Sequence, residues 1–168
     1  MTPKLAGTAA LVTGASSGIG AATGRRLAQD GACVALVARR RDRLQALAAE
    51  IDKAGGTALV VEADITDRAQ ADAAVQQAAG RFGRLDILVN NAGLVLLGPV
   101  AGADPKEWDR MIAVNVQGLL YTTHAALPHL LQAAEYAHAG SPTSSTSARS
   151  PAASPGTATA STASPSSA

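Results

Sequence analysis

Three glycines in the run Thr13-Gly14-Ala15-Ser16-Ser17-Gly18-Ile19-Gly20 stand where an apolar stretch gives way to a helix-like one. A turn built this way can hold a pyrophosphate. Glycine lets the backbone bend tightly and approach the phosphates without a Cβ in the way, and it lets the helix pack close to the strand. The free N–H groups at the helix start then face the anion. Thr13, Gly14, Ser16, Ser17, Gly18, Ile19 and Gly20 are therefore candidate binding residues. Further on, Ala38-Arg39-Arg40-Arg41 stands where an acidic residue would hold the ribose 2′-hydroxyl of NAD. A guanidinium there grips a 2′-phosphate bidentately, so NADP(H) is the expected ligand and NAD(H) the weaker alternative, with Arg39 the first candidate and Arg40 the second. A solvated basic start to the next helix is the plainer reading of the same arginines.

The elements needed to position these residues are legible from apolar patterning. Thr8 to Val12, Ala32 to Ala38, Thr57 to Val61 and Leu85 to Val89 are short apolar runs. Between them lie helix-like stretches at Ile19 to Asp30, Asp42 to Ala54 and Asp67 to Phe82. The order is βαβαβαβ, and strands apolar throughout, rather than alternating, imply a sheet covered on both faces. That predicts an α/β fold with a doubly wound parallel sheet of about four strands. Asp104 to Ala134 reads as one long helix, with Asp104 as N-cap, Pro105 at the first helical position and Glu107 three residues after the cap. Met111, Val114, Leu119 and Leu127 are expected to face inward, and Pro128 to kink it.

The spacing of the glycines, with three residues between the first two, closely resembles the TGxxxGxG motif of short-chain dehydrogenases/reductases. Asp64-Ile65 after the third strand, Asn90-Asn91-Ala92-Gly93 after the fourth, and Asn115 in the following helix extend the resemblance over residues 5 to about 134. It implies a Rossmann-type domain in which Asp64 and Ile65 lie at the adenine ring. Asn91, Ala92 and Gly93 would lie beside the nicotinamide-side ribose, with Asn90 fastening neighbouring strands. Asn115 would be the active-site asparagine that helps hold a proton-relay water; an amide with a purely structural role is the rival reading. The implied activity is NADP(H)-dependent hydride transfer between a secondary alcohol and a ketone or aldehyde. Complete members form dimers or tetramers through their long central helices, which leaves a homo-oligomer open through the face from Trp108 to Leu131.

The same resemblance exposes a gap. The family's chemistry falls to a serine and a Tyr-x-x-x-Lys pair after a fifth strand, where tyrosine moves the proton, lysine lowers its pKa and serine polarises the carbonyl. Here Tyr121 is followed four residues later by Ala125 and Tyr136 by Gly140, and the lysines are Lys4, Lys53 and Lys106. From Ser141 to Ala168 the chain holds only Ser, Thr, Pro, Ala, one Gly and one Arg. Such a segment has nothing with which to offset its ordering entropy, so residues 1–139 read as a dinucleotide-binding domain and 140–168 as a disordered tail. Pro142 to Ser150 can be encoded by a GC-rich DNA whose neighbouring frame gives DIVNISSV, the family's fifth strand and serine. Ala160 to Ala168 can be back-translated so that this frame gives GVYSVAKFG, which contains Tyr-x-x-x-Lys. A family member truncated or frameshifted after about residue 135, with the shift near residues 134 to 141, is the resulting expectation.

Bulk composition excludes other classes. The 168 residues are 47% hydrophobic but 2% aromatic, with a formal net charge of +1; beyond Arg39, Arg40, Arg41 and Arg43 no basic face is clustered, so nucleic acid is not an expected partner. The single cysteine, Cys33, rules out an intramolecular disulfide, and no spaced Cys/His set suggests a metal. No apolar run is long enough to span a membrane, and a soluble chain in a reducing cytoplasm is expected. Three functions remain: an NADP(H)-dependent oxidoreductase acting on a small carbonyl or alcohol substrate, a pseudoenzyme that binds NADPH without turnover, or a non-functional frameshift product.

Overall fold

The computed structural model describes residues 3–139. Four strands, β1 (Ala9–Thr13), β2 (Cys33–Ala38), β3 (Thr57–Glu62) and β4 (Ile87–Val89), form one parallel sheet in the order β3-β2-β1-β4. Helices α1 (Gly18–Gln29), α2 (Arg41–Lys53) and α3 (Arg68–Phe82) connect them. The expected α/β fold, doubly wound and four-stranded, is the one observed. The tail from residue 140 lies outside the described residues.

The two-sided burial that the strand composition predicts is explicit in the core. Val12, Val34 and Leu36 pack on one face with Leu44, Leu47 and Ile51 of α2 and Ala28 of α1. Leu11, Ala35 and Val37 pack on the other with Ala74, Val75 and Ala78 of α3 and Ala126 of the last helix. Successive residues of a strand point to opposite faces, so a run such as Val34-Ala35-Leu36-Val37 must be apolar throughout to fill both layers. Small residues let the helices approach: a Cβ on Gly24 of α1 would lie 2.7 Å from Leu36. Local signals set the helix ends. Asp67 caps α3 by accepting from the Gln70 N–H, and Gly83 closes it in the left-handed conformation at φ 74°. The hydrogen bonds of Gln70 to the Asp67 carboxyl, led by the backbone one, hold its pKa below the usual carboxylate range.

The long helix departs from expectation in two ways. Asp104 does cap it, accepting from the Lys106 N–H, and Pro105 is its first residue. The helical stretch is however divided into α4 (Pro105–Ile112), a π-helical segment (Ala113–Gly118) and α5 (Leu119–Ala139). The irregularity falls ahead of Pro128, which lies within α5. The second correction concerns direction: Leu119 and Leu127 are 40% and 49% exposed, while Gly118, Thr122, Ala126 and Ala133 form the buried face. The reason is close approach. A Cβ on Gly118 would lie 2.7 Å from Ile65 Cδ1, so this face admits small side chains and turns the leucines outward. Met111 and Val114 are half-buried. Among the described residues no helix is long and apolar enough to cross a membrane.

Candidate cofactor site

The strand order places β2 and β3 on one side of β1 and β4 on the other, so the chain changes direction between β1 and β4. In open α/β sheets ligands bind in the crevice at the carboxyl ends of the strands at such a switch point. A cavity of about 530 Å³ opens there. Gly14, Ser16 and Ser17 line it after β1, Val37 and Ala38 at the end of β2 with Arg39 and Arg40 after it, and Ala63, Asp64, Ile65 and Thr66 after β3. Asn91, Ala92, Gly93 and Leu94 after β4, together with Arg110, Ala113 and Val114, complete it.

The glycine turn divides its work among its members. Gly14, at φ 66°, lies against the end of β4: a Cβ there would come within 2.8 Å of the Ala92 Cα. Gly20 lets α1 start against the turn, since a Cβ there would run into the Gly14 carbonyl oxygen. Gly18, at φ 57°, has open space where a side chain would be. Its glycine answers a backbone demand and leaves the approach to the helix start clear. Among the described residues no side chain caps that start; the Ser17 hydroxyl instead accepts from Arg40 at 2.9 Å, and the Ser16 hydroxyl from the same nitrogen at 3.1 Å. The first N–H groups of α1 are thus left for an anion, with a guanidinium and two hydroxyls beside them.

Thr13, Gly18, Ile19 and Gly20 lie outside the cavity's lining. Thr13 is fully buried, its hydroxyl donating to the Val89 carbonyl and accepting from the N–H groups of Asn91 and Ala92, which ties β1 to β4. Ile19 is 78% exposed. The asparagine pair reverses part of the expectation. Asn91 fastens the strands, its amide donating to the Thr13 and Gly14 carbonyls, whereas Asn90 fastens β4 to α5 through Thr122 and Thr123. A half-buried amide is favoured when its polar atoms find partners; Asn90 uses both its amide nitrogen and its oxygen, and Asn91 its amide nitrogen.

Asp64 holds its own turn, accepting from the N–H and hydroxyl of Thr66, and stands 3.8 Å from Arg39. Asn115 lies outside the lining and clamps it from behind: its Oδ1 accepts from the Leu94 N–H and its Nδ2 donates to the Leu94 carbonyl, both at 2.8 Å. Residues 91–94 are thereby held at both ends. Arg110, Ala113 and Thr66 belong to the wall but stand out by no motif; the available signal is their adjacency to Asn115 and Ile65 in sequence. At the opposite end of the sheet, Asp86 anchors β4 to β1. Burial alone would raise its carboxyl pKa, but hydrogen bonds from Arg84 and the Ala9 N–H, with the charge of Arg84, carry it below the usual value.

A switch-point cavity behind a glycine turn defines a dinucleotide-type α/β domain, and comparison with known proteins refines the class. The short chain dehydrogenase family model matches residues 8–156. The chain belongs to that family. The match extends beyond residue 134, where the recognisable motifs end. An uncharacterised oxidoreductase of Staphylococcus aureus (strain MRSA252) is 42% identical over 123 residues, 73% of this chain and 52% of that protein. A doubly substituted short-chain dehydrogenase/reductase from Serratia marcescens superposes with a TM-score of 0.73 at 44% identity, covering 76% of this chain and 52% of its own. The same coverages and TM-score, at 42% identity, hold for a short chain dehydrogenase from Burkholderia cenocepacia J2315 in complex with NADP. The chain spans about half the length of these relatives.

Proposed function

We propose that this chain binds NADP(H) in the switch-point cavity, in preference to NAD(H), and that it does so without catalysing hydride transfer. The observation carrying this reading is the convergence of Arg40 with the hydroxyls of Ser16 and Ser17 beside the uncapped start of α1, with Arg39 on the same rim. That set is cationic and hydroxyl-rich where a 2′-phosphate would lie, and Asp64, the carboxylate of the lining, is drawn toward Arg39. The backbone of Gly14 to Gly18 would hold the pyrophosphate and Asn91 to Gly93 the nicotinamide-side ribose. Arg39 and Arg40 grip the 2′-phosphate. The NADP complex of the B. cenocepacia relative supports the choice of ligand.

In the family, bound NADPH supplies a hydride to a carbonyl carbon, and a proton must be delivered to the oxygen. Among the described residues Asn115 is the one candidate for that chemistry, and its engaged amide makes it the support of the 91–94 wall. Among the described residues there is no Tyr-x-x-x-Lys pair and no serine after a fifth strand to position an acid, which is why binding without turnover is the reading adopted. Titration followed by nucleotide fluorescence tests it. Saturable NADPH binding, weaker NADH binding and no NADPH oxidation with a panel of ketones and aldehydes are expected; turnover would show that another acid serves. A second reading, a product of a shifted reading frame, is favoured by the DIVNISSV and GVYSVAKFG strings recoverable from the tail. Sequencing the gene decides that point, since stop codons closing the alternative frame would rule it out.

A further inference from the structure

Arg110 is the third guanidinium on the cavity rim and the one that no motif assigns. It makes no ion pair with any described residue, whereas Arg39 leans on Asp64 and Arg41 on Glu62. Its position is fixed by the helical stretch beyond it. Arg110, Val114 and Gly118 recur at four-residue spacing along one side of that stretch, and the last packs directly on Ile65. Val114 and Ile65 both line the cavity. Arg110, one turn ahead of Val114 on this line, shares the cavity lining with Ile65.

Resting on the NADP(H) reading above, we infer that Arg110 is a cofactor-positioning residue whose flat guanidinium covers the adenine ring against Ile65. Three observations select the base over the phosphates. The 2′-phosphate end already has Arg39, Arg40, Ser16 and Ser17, and the pyrophosphate has the helix start. Beside Asp64 and Thr66, the lining that Arg110 shares with Ile65 includes apolar Ala113 and Val114, and an apolar and acidic wall suits a flat heterocycle more than an anion. A guanidinium, weakly hydrated and planar, stacks on such a ring where an ammonium would stay in water.

The experiment measures binding of NADPH, NADH and 5′-AMP to the wild type, Arg110→Ala and Arg110→Gln. An exposed stacking contact is worth about 0.5–1 kcal/mol, so both variants should bind all three ligands about two- to fivefold more weakly, by the same factor, with unchanged thermal unfolding. A loss confined to NADPH would assign Arg110 to the 2′-phosphate and overturn the inference, as would unchanged affinities. If the wild type binds none of the three, the NADP(H) reading itself fails and this inference with it. Wild-type binding with indifferent variants sinks the inference alone.

Discussion

From β1 to α3 most of the large apolar side chains are inside; beyond β4 most of them are outside. Leu11, Val12, Leu36, Leu44 and Val75 are completely buried, while Leu97, Ile112, Leu120 and Leu131 are between about half and nine-tenths exposed. Both regions are apolar in composition, so hydrophobicity does not separate them. The difference lies in which residue sizes meet: strands of Val and Leu fill space between two helical layers, whereas the last helical stretch reaches the rest of the domain through Gly118, Thr122 and Ala126. An apolar run is thus evidence of burial only where a neighbour exists to receive it.

The contrast can be broken most forcefully at Gly20, where Gly20→Val drives side-chain atoms into the Gly14 carbonyl and the Asn91 amide; loss of cooperative unfolding and of NADPH binding together is expected, read by thermal denaturation and titration. Leu36→Ala, emptying space under α1, should cost about 2–5 kcal/mol in urea unfolding. Gly118→Ala presses on Ile65 and should cost about 1–3 kcal/mol, showing that this stretch is held by closeness of approach. Leu127→Gln, on the outward face, should change stability by no more than about 0.5 kcal/mol in the same assay. A cost like that of Leu36 would mean that this face is covered in solution.

Acid offers a finer probe. Asp86 has a folded-state pKa below its unfolded value, so the stability it contributes is complete above the ordinary carboxylate value of about 3.9 and is lost as pH falls through the folded value. Asp86→Asn should flatten the acid limb of the stability profile below about pH 4 and leave the region above it parallel to wild type, as measured by unfolding at a series of pH values.

Strand runs, the glycine turn and the Arg39-Arg40 pair were readable because local chemistry alone dictates them. The π-helical segment at Ala113–Gly118 was not, since no local residue marks it; its last residue, Gly118, docks on Ile65, a contact between distant parts of the chain. The same holds for Asn90 and Asn91. Their type announces a satisfied amide, but which neighbour satisfies it depends on the strand order. Thr13 carried a third ambiguity: it adjoins the glycine motif, yet its hydroxyl faces β4.

The register of the sheet bears on how the chain assembles as it is made. Ala9 pairs with Cys33 and Cys33 with Thr57, each across one helical crossover, while Ala10 must wait for Ile87. Closing the short loops first is entropically cheaper, and synthesis delivers them first. The β1-β2-β3 unit with α1 and α2 can therefore condense before β4 has left the ribosome. Until β4 arrives, the β1 edge stays open and the bonds from Asn91 to Thr13 are unmade, so the side of the cavity formed by residues 91–94, and after them by Arg110, Ala113 and Val114, is the last to mature.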